Sequence, residues 1–423
     1  MLLNYLKIAW KVLLRRKFFT FISLFGISFT LMILLVIYAI YDHTVGPHTP
    51  EKRVDRLVFI ARMQLVNEAG TSQSNSSVGY AFLQHYVRTL RTPEKVSISQ
   101  DGIDQVVSYP GNQSLKLDRR YTDAEFWQVL DFDFVVGRPY TPSEVRSAAH
   151  VAVINESTSR RYFGTVQSVV GRALEIDGIR YRVVGVVRDV PISRNRSYAE
   201  LWVPVTTTNE DLRDPNFLGS YQAIVLAHRT TEVHAVQQEF AQVVSRVPVP
   251  DSKYGQYGDA NIIHCYARTL LQSYTEQVTN EAGEDGGVGR FVWLVLGLTL
   301  LFMLLPALNL VNINMSRMLE RSAEIGVRKA FGATVGTLIG QFLVENIFLT
   351  LLGGVLGLVL AAGVLYLIND SHYLPYANFS LNGRVFLAAL GVVLIFGAMS
   401  GVYPAYKMSK LQAVKALKEE IAA

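Results

Sequence analysis

The residues in this 423-residue chain best suited to chemistry lie in one stretch, Ser316 to Thr334. It carries Glu320, Arg321, Glu324, Arg328 and Lys329 among the apolar Ile325, Val327, Ala330 and Phe331, with Gly326, Gly332 and Ala333 between them. Glu324 precedes Arg328 by four residues, the favourable order for an ion pair on a helix. Gly326 and Gly332 interrupt, so short helical pieces with a sharp turn are expected. The chemistry on offer is recognition, with no catalytic group in evidence. Charges can fix register against a partner, and exposed apolar side chains can fill its pockets. A solvated connector would account for the charges but not for Ile325, Val327 and Phe331.

Other motifs are absent. No Gly-x-x-x-x-Gly-Lys-Ser/Thr loop occurs, nor even a Gly-Lys pair, so the chain has no P-loop for ATP. There is no His-Glu-x-x-His and no Gly-x-Ser-x-Gly. Asp42, His43 and His48 lie close together, but without a zinc-ligand spacing, and read as a polar linker. His264 and Cys265 are neighbours and would point to opposite faces of a strand. Cys265 is the single cysteine, which excludes an internal disulfide.

What must position the charged stretch is a set of apolar segments. Phe18 to Tyr41, Phe291 to Val311 and Val385 to Tyr406 carry no charged side chain, and Val335 to Ile368 carries only Glu345. Each has at least the roughly 20 residues that a helix needs to cross a bilayer. The first is too long for the core of a cleaved signal peptide and lacks a small-x-small site after it. Lys7, Lys11, Arg15, Arg16 and Lys17 precede the first segment; Arg317, Arg321, Arg328 and Lys329 follow the second; Lys407, Lys410, Lys415 and Lys418 follow the fourth. The positive-inside rule places all three groups in the cytoplasm. The net charge of +5 is mostly this bias. The basic residues flank spans and form no single patch, so nucleic acid is not an expected partner.

The expected architecture is therefore a membrane α-helical protein with four transmembrane helices and a large α+β extracytoplasmic domain inserted between helices 1 and 2. Its parts are a cytoplasmic amphipathic helix (1–17), transmembrane helix 1 (18–41), the extracytoplasmic domain (42–289), helix 2 (290–315), a cytoplasmic loop (316–334), helix 3 (335–368), a short extracytoplasmic loop (369–384), helix 4 (385–406) and a cytoplasmic tail (407–423). Ser409 and Gln412 have capping-box spacing, and Leu411, Val414 and Leu417 recur at three-residue steps, so the tail is expected to be helical. Helix 3 would be about 50 Å long against roughly 30 Å of hydrocarbon. Gln341 and Glu345 are then expected near the inner surface, in preference to a buried ion site. Gly353 and Gly357, with Gly354 beside them, and Gly397 and Gly401 form small-xxx-small pairs that let helices approach closely, within one chain or between two.

In the outer domain, Val54–Ile60, Val106–Tyr109, Val151–Ile154, Ala173–Ile176, Tyr181–Val187, Glu200–Val205 and Gln222–Ala227 read as strands. Asp177-Gly178 reads as a hairpin turn. Gly79–Leu90, Glu156–Phe163 and Val233–Ser245 read as helices, Asn67–Ser77 as a mobile loop and Thr279–Gly289 as a flexible linker.

Glu320-Arg321, Glu324-Ile325-Gly326, Arg328-Lys329-Ala330 and Gly332-Ala333 resemble the signature of the MacB/FtsX-type ABC transporter permeases. The resemblance extends to Leu310–Ile313, Gln341–Leu343 with Glu345, Leu352–Gly354 with Gly357, and Tyr403-Pro404-Ala405 with Leu411, Ala416 and Leu417. In the outer domain, Val151–Gly164, Val170-Gly171, Tyr181–Val187, Phe126, Phe134 and Gly137-Arg138 are similar to the family's extracytoplasmic core domain. Residues from about Thr206 to Asn280 match nothing nameable.

The resemblance implies a non-catalytic subunit in a bacterial inner membrane, both termini cytoplasmic and the large domain periplasmic. It implies a separate cytoplasmic ABC ATPase that binds ATP and Mg, with no cofactor in this chain, and a homo- or heterodimer of permease chains. The loop Glu320–Ala333 would touch the ATPase, whose movement would pass through the spans to the outer domains for efflux or release of a periplasmic substrate. Two alternatives stay open: a mechanotransmitter that regulates an extracytoplasmic protein partner such as a cell-wall hydrolase, and a membrane-anchored ligand sensor or enzyme. The last would need a signalling domain or a catalytic constellation, and neither is visible.

Overall fold

A computed structural model describes residues 14–15, 17–67, 73–109, 114–248, 260–281, 283–320, 327, 331, 334–371, 375–391, 393–395 and 398. The expected N-terminal amphipathic helix falls almost wholly outside these residues, and the expected helical tail entirely so. The chain divides into two units: an outer domain of residues 42–291 with 372–378, and a helical unit comprising the rest.

The outer domain is organised on a mixed β-sheet. Tyr221–Leu226 pairs antiparallel with Leu57–Ile60 on one side and Lys95–Gln100 on the other. Leu115–Thr122 runs parallel to Leu201–Pro204, and Val151–Asn155 parallel to Ile179–Val187. Successive side chains on a strand point to opposite faces, and both faces here are covered. Val58, Ile60, Ala223 and Val225 enter one core, and Leu57, Phe59, Ile224 and Leu226 the other.

Local signals explain several elements. Helix Glu156–Phe163 starts where the Asn155 side chain accepts from Thr158 N at 2.8 Å, and it stops at Gly164 with φ of +75°. The turn between Ala173–Ile176 and Ile179–Val187 has positive φ at both Asp177 and Gly178, the geometry that a two-residue hairpin of this type requires.

Three expectations are corrected. Gln73–Val78 is a strand paired with Met63–Val66, not part of a mobile loop. Its polar side chains hid the backbone pairing. The helix expected at Gly79–Leu90 is present over Tyr80–Val87 but ends earlier and widens from α to π at Leu83–Val87, where Arg88 N donates to Leu83 O at 3.0 Å. The wider turn brings Phe82, Leu83 and Val87 into one core. Thr279–Gly289 is not a linker throughout: Thr279 ends helix Leu270–Thr279, Val288 begins helix Val288–Glu320, and between them Gly283 O accepts from Arg268 Nη2 at 2.9 Å and from Gly286 N at 3.0 Å.

The helical unit contains most of helices Lys17–Val45 and Val288–Glu320, and helix Val335–Asp370. Two stretches among the described residues are long and apolar enough to cross a membrane, Lys17–Val45 and Leu343–Asp370. Val288–Leu304 and Gly383–Ile395 are shorter apolar stretches. Ile27, Leu31 and Leu349 form the packed centre of the unit.

Candidate functional site

The charged stretch lies between two helices of 33 and 36 residues. Glu320 ends the first. The second is capped by Thr334, whose hydroxyl accepts from Thr337 N at 3.3 Å. Between them, Val327 and Phe331 are described; they are joined by a helical bond from Phe331 N to Val327 O at 3.1 Å, and Phe331 is 89% exposed. The ring is a candidate contact for a partner. Arg321, Glu324, Ile325, Gly326, Arg328, Lys329, Ala330, Gly332 and Ala333 lie outside the described residues.

Of the expected packing glycines, three are described. A Cβ on Gly353 would meet Ile27 Cγ2 at 2.7 Å. One on Gly357 would meet Leu31 Cβ and Ser28 O, each at 2.9 Å, and one on Gly354 would meet Leu390 Cδ1 at 2.6 Å. These glycines let the third apolar helix lie against the first, and against residue 390 of the fourth apolar segment, within one chain. Gly397 and Gly401 lie outside the described residues.

A second candidate site, which sequence reading missed, is the segment 191–200 of the outer domain. It receives the chain as it leaves the first helix: Arg194 Nη2 donates to Gly46 O at 2.6 Å, and Arg194 Nη1 to Glu51 Oε2 at 2.9 Å. Arg194 and Glu51 are each 1% exposed at the side chain, and Ser197 Oγ completes the carboxylate at 2.8 Å. The same segment holds helix Leu270–Thr279, which leads back to the second apolar helix, through Arg196 Nη2 to Ser273 Oγ at 2.8 Å.

It also holds the loop between the third and fourth apolar segments. Ile192 N donates to Pro375 O at 3.2 Å, and Tyr376 OH donates to Glu200 Oε1 at 2.6 Å. Glu200 also accepts from Arg161 Nη1 at 2.8 Å and from Asp118 N at 3.1 Å. Burial, reinforced by the Glu200 carboxylate, raises the Tyr376 phenol above its ordinary range, so it stays a donor. Arg120 supports the segment from beneath, with its guanidinium on the carbonyls of Tyr198, Gln100 and Asn195; burial lowers it to about 10.

No group of three or more potential metal ligands occurs among the described residues. His48 Nε2 lies 3.3 Å from Asp42 Oδ2. Cys265 is buried, which raises its thiol to about 12, far from a reactive thiolate.

The hydrogen bonds of segment 191–200 tie together the entry of the outer domain, helix Leu270–Thr279 and the loop at Pro375–Tyr376. A family model of the MacB-like periplasmic core domain matches residues 20–243, and one of the FtsX-like permease C-terminal region matches residues 296–413. The macrolide export ATP-binding/permease protein MacB of Bdellovibrio bacteriovorus is 29% identical over 289 residues, covering 68% of this chain and 41% of that protein. The pyoverdine export ATP-binding/permease protein PvdT of Pseudomonas fluorescens is 24% identical over 439 aligned positions, covering 99% of this chain and 60% of that protein. The chain thus spans about two to three fifths of the length of these relatives. The periplasmic region of MacB from Actinobacillus actinomycetemcomitans overlays with a TM-score of 0.35 at 14% identity, covering 54% of this chain and 94% of that one. The matched models take in the outer domain as far as residue 243 and the apolar helices on either side of it, and the chain belongs to the MacB/FtsX-type family of ABC transporter permeases, inner-membrane proteins with a large periplasmic domain.

Proposed function

We propose that the chain passes the movement of a separate cytoplasmic ABC ATPase to its outer domain, and that this movement exports or releases a substrate on the periplasmic side. The observation that carries the reading is Phe331, 89% exposed in a stretch of sequence rich in charges that connects two long apolar helices. Three features support it. No P-loop occurs in these 423 residues, which supports ATP and Mg being held by the ATPase. The relatives MacB and PvdT are both named as export ATP-binding/permease proteins. The charge asymmetry favours four spans with both termini and the 316–334 loop in the cytoplasm. Two such chains form the working unit, as homo- or heterodimer, with their exposed apolar helix faces in lipid or against each other.

The test is co-purification of the ATPase with the chain, followed by ATP turnover in the reconstituted complex. Wild type should bind and stimulate the ATPase. Glu324→Lys should reach the membrane in normal amount but bind roughly a hundredfold more weakly, the effect of reversing one contact in a charged interface. Failure of the wild-type chain to associate with any ABC ATPase overturns the reading.

A further inference from the structure

The 42–291 part of the outer domain joins the membrane helices at its two ends, near Gly46 and through helix Leu270–Thr279, and both ends are gripped by the segment 191–200. The third and fourth apolar segments are joined by a loop whose residues 372–378 belong to the outer domain, and that loop is seated on the same segment. Three separate contacts seat it: the Ile192–Pro375 backbone bond at 3.2 Å, the Tyr376–Glu200 bond at 2.6 Å, and the Tyr376 ring 6.5 Å from that of Tyr198. Tyr376 also takes a φ of +61°, a left-handed conformation that a residue with a side chain adopts only when its surroundings impose it. Glu200 is 6% exposed, so the phenol bonds to a carboxylate largely shielded from water.

We infer that segment 191–200 is the point at which helix movements are gathered into the outer domain, and that Tyr376, seated on Glu200, is the positioning residue that adds the third and fourth apolar segments to that point. The inference rests on the transmission reading above. A domain held at Gly46 and helix Leu270–Thr279 alone responds to the first two helices. One held also at Pro375–Tyr376 responds to displacement of the third helix, which the charged loop at residues 316–334 adjoins directly in sequence. The tie has to survive the cycle, because contacts that release at each stroke would transmit nothing from that helix pair.

The experiment uses the full-length chain reconstituted with its ATPase. Transmission is read as the ATP-dependent change in protease sensitivity of the outer domain. Tyr376→Ala should bind the ATPase as wild type does and unfold within a few degrees of it, yet show at least a tenfold smaller ATP-dependent change. Tyr376→Phe, which keeps the ring and loses the hydroxyl, should fall about threefold. Because Cys265 is the only cysteine, a Cys265→Ala chain with Ile192→Cys and Pro375→Cys can carry one disulfide across the backbone contact. Oxidation of that pair in the Tyr376→Ala chain should restore the change to within twofold of wild type, and a reductant should abolish it again.

Wild-type transmission by Tyr376→Ala overturns the inference. So does a 192–375 pair that fails to cross-link in resting membranes, or a cross-link that blocks transmission. A wild-type chain that does not respond to ATP at all counts against the transmission reading itself; cross-linking in resting membranes then still reports whether the loop is seated.

Discussion

In the outer domain, Trp202, Phe59 and Phe126 are sealed inside a two-faced core; in the helical unit, Trp293 is 77% exposed and Leu367 65%. The two regions draw on the same apolar residue types and place them in opposite senses. Water drives the first arrangement, since burying apolar surface is favourable there. In lipid that drive is absent, and helices associate through close packing of small residues, as Gly353, Gly354 and Gly357 do against Ile27, Leu31 and Leu390. Burial in the outer domain therefore reports on folding, and burial in the helical unit reports on helix approach. Substitutions should act differently in the two.

The largest effect on stability is expected at Arg194. Arg194→Met leaves the Glu51 carboxylate buried without its cation, at a cost of about 3–5 kcal/mol. Unfolding of the outer domain, followed by the fluorescence of the buried Trp127 and Trp202, should drop by on the order of 10 °C. Adding Glu51→Gln should recover part of the loss, and an unchanged midpoint would show that the buried pair does not hold the domain.

Next is Gly357→Leu in the helical unit. Its side chain would meet Leu31 Cβ and Ser28 O where a Cβ alone already lies at 2.9 Å. Overpacking of this kind costs about 1–3 kcal/mol. The outer-domain midpoint should not move, while the detergent-solubilised chain should lose helical stability. Gly363→Ala, with nothing within 4 Å, is the neutral control.

The comparison also shows what the sequence makes legible. Helix Glu156–Phe163 and the Asp177-Gly178 hairpin could be read because their signals are local: a cap residue, a left-handed glycine, a two-residue turn. Strand Gln73–Val78 could not, because its side chains are polar and its evidence is backbone pairing with Met63–Val66. The charged loop stands out in the sequence as a candidate contact surface because its residue types are unusual next to apolar spans; of its residues only Val327 and Phe331 lie between the two helices among those described, and both are exposed. Segment 191–200 was not. Arg194 and Arg196 look like surface residues until Glu51, 143 positions away from Arg194, supplies a buried partner, and Tyr376 lies 176 positions from Glu200.

The smallest effect is expected at the cap of helix Pro142–Arg146. Glu144 accepts from Arg138 at 2.9 and 3.0 Å and from Thr141 N at 2.8 Å. The Arg138 bonds lead the causes that lower its carboxyl to about 2. Its folded pKa lies below its unfolded one, so its contribution is complete above about pH 4.5 and is lost as pH falls towards 2. Glu144→Gln should cost about 1 kcal/mol at pH 7, in line with loss of a capping side chain, and nothing at pH 2. Urea unfolding at the two pH values checks this; an equal loss at both would separate the cap from the charge of Glu144.

The central claim is that residues 320–333 couple the chain to an ATPase, and the direct measurement is ATPase pull-down with ATP turnover in the reconstituted complex for Glu324→Lys, Phe331→Ala and Gly332→Val. The account predicts that all three reach the membrane in normal amount, that Glu324→Lys binds roughly a hundredfold more weakly, and that the other two lose binding or stimulated turnover. Wild-type pull-down and turnover in all three would contradict it.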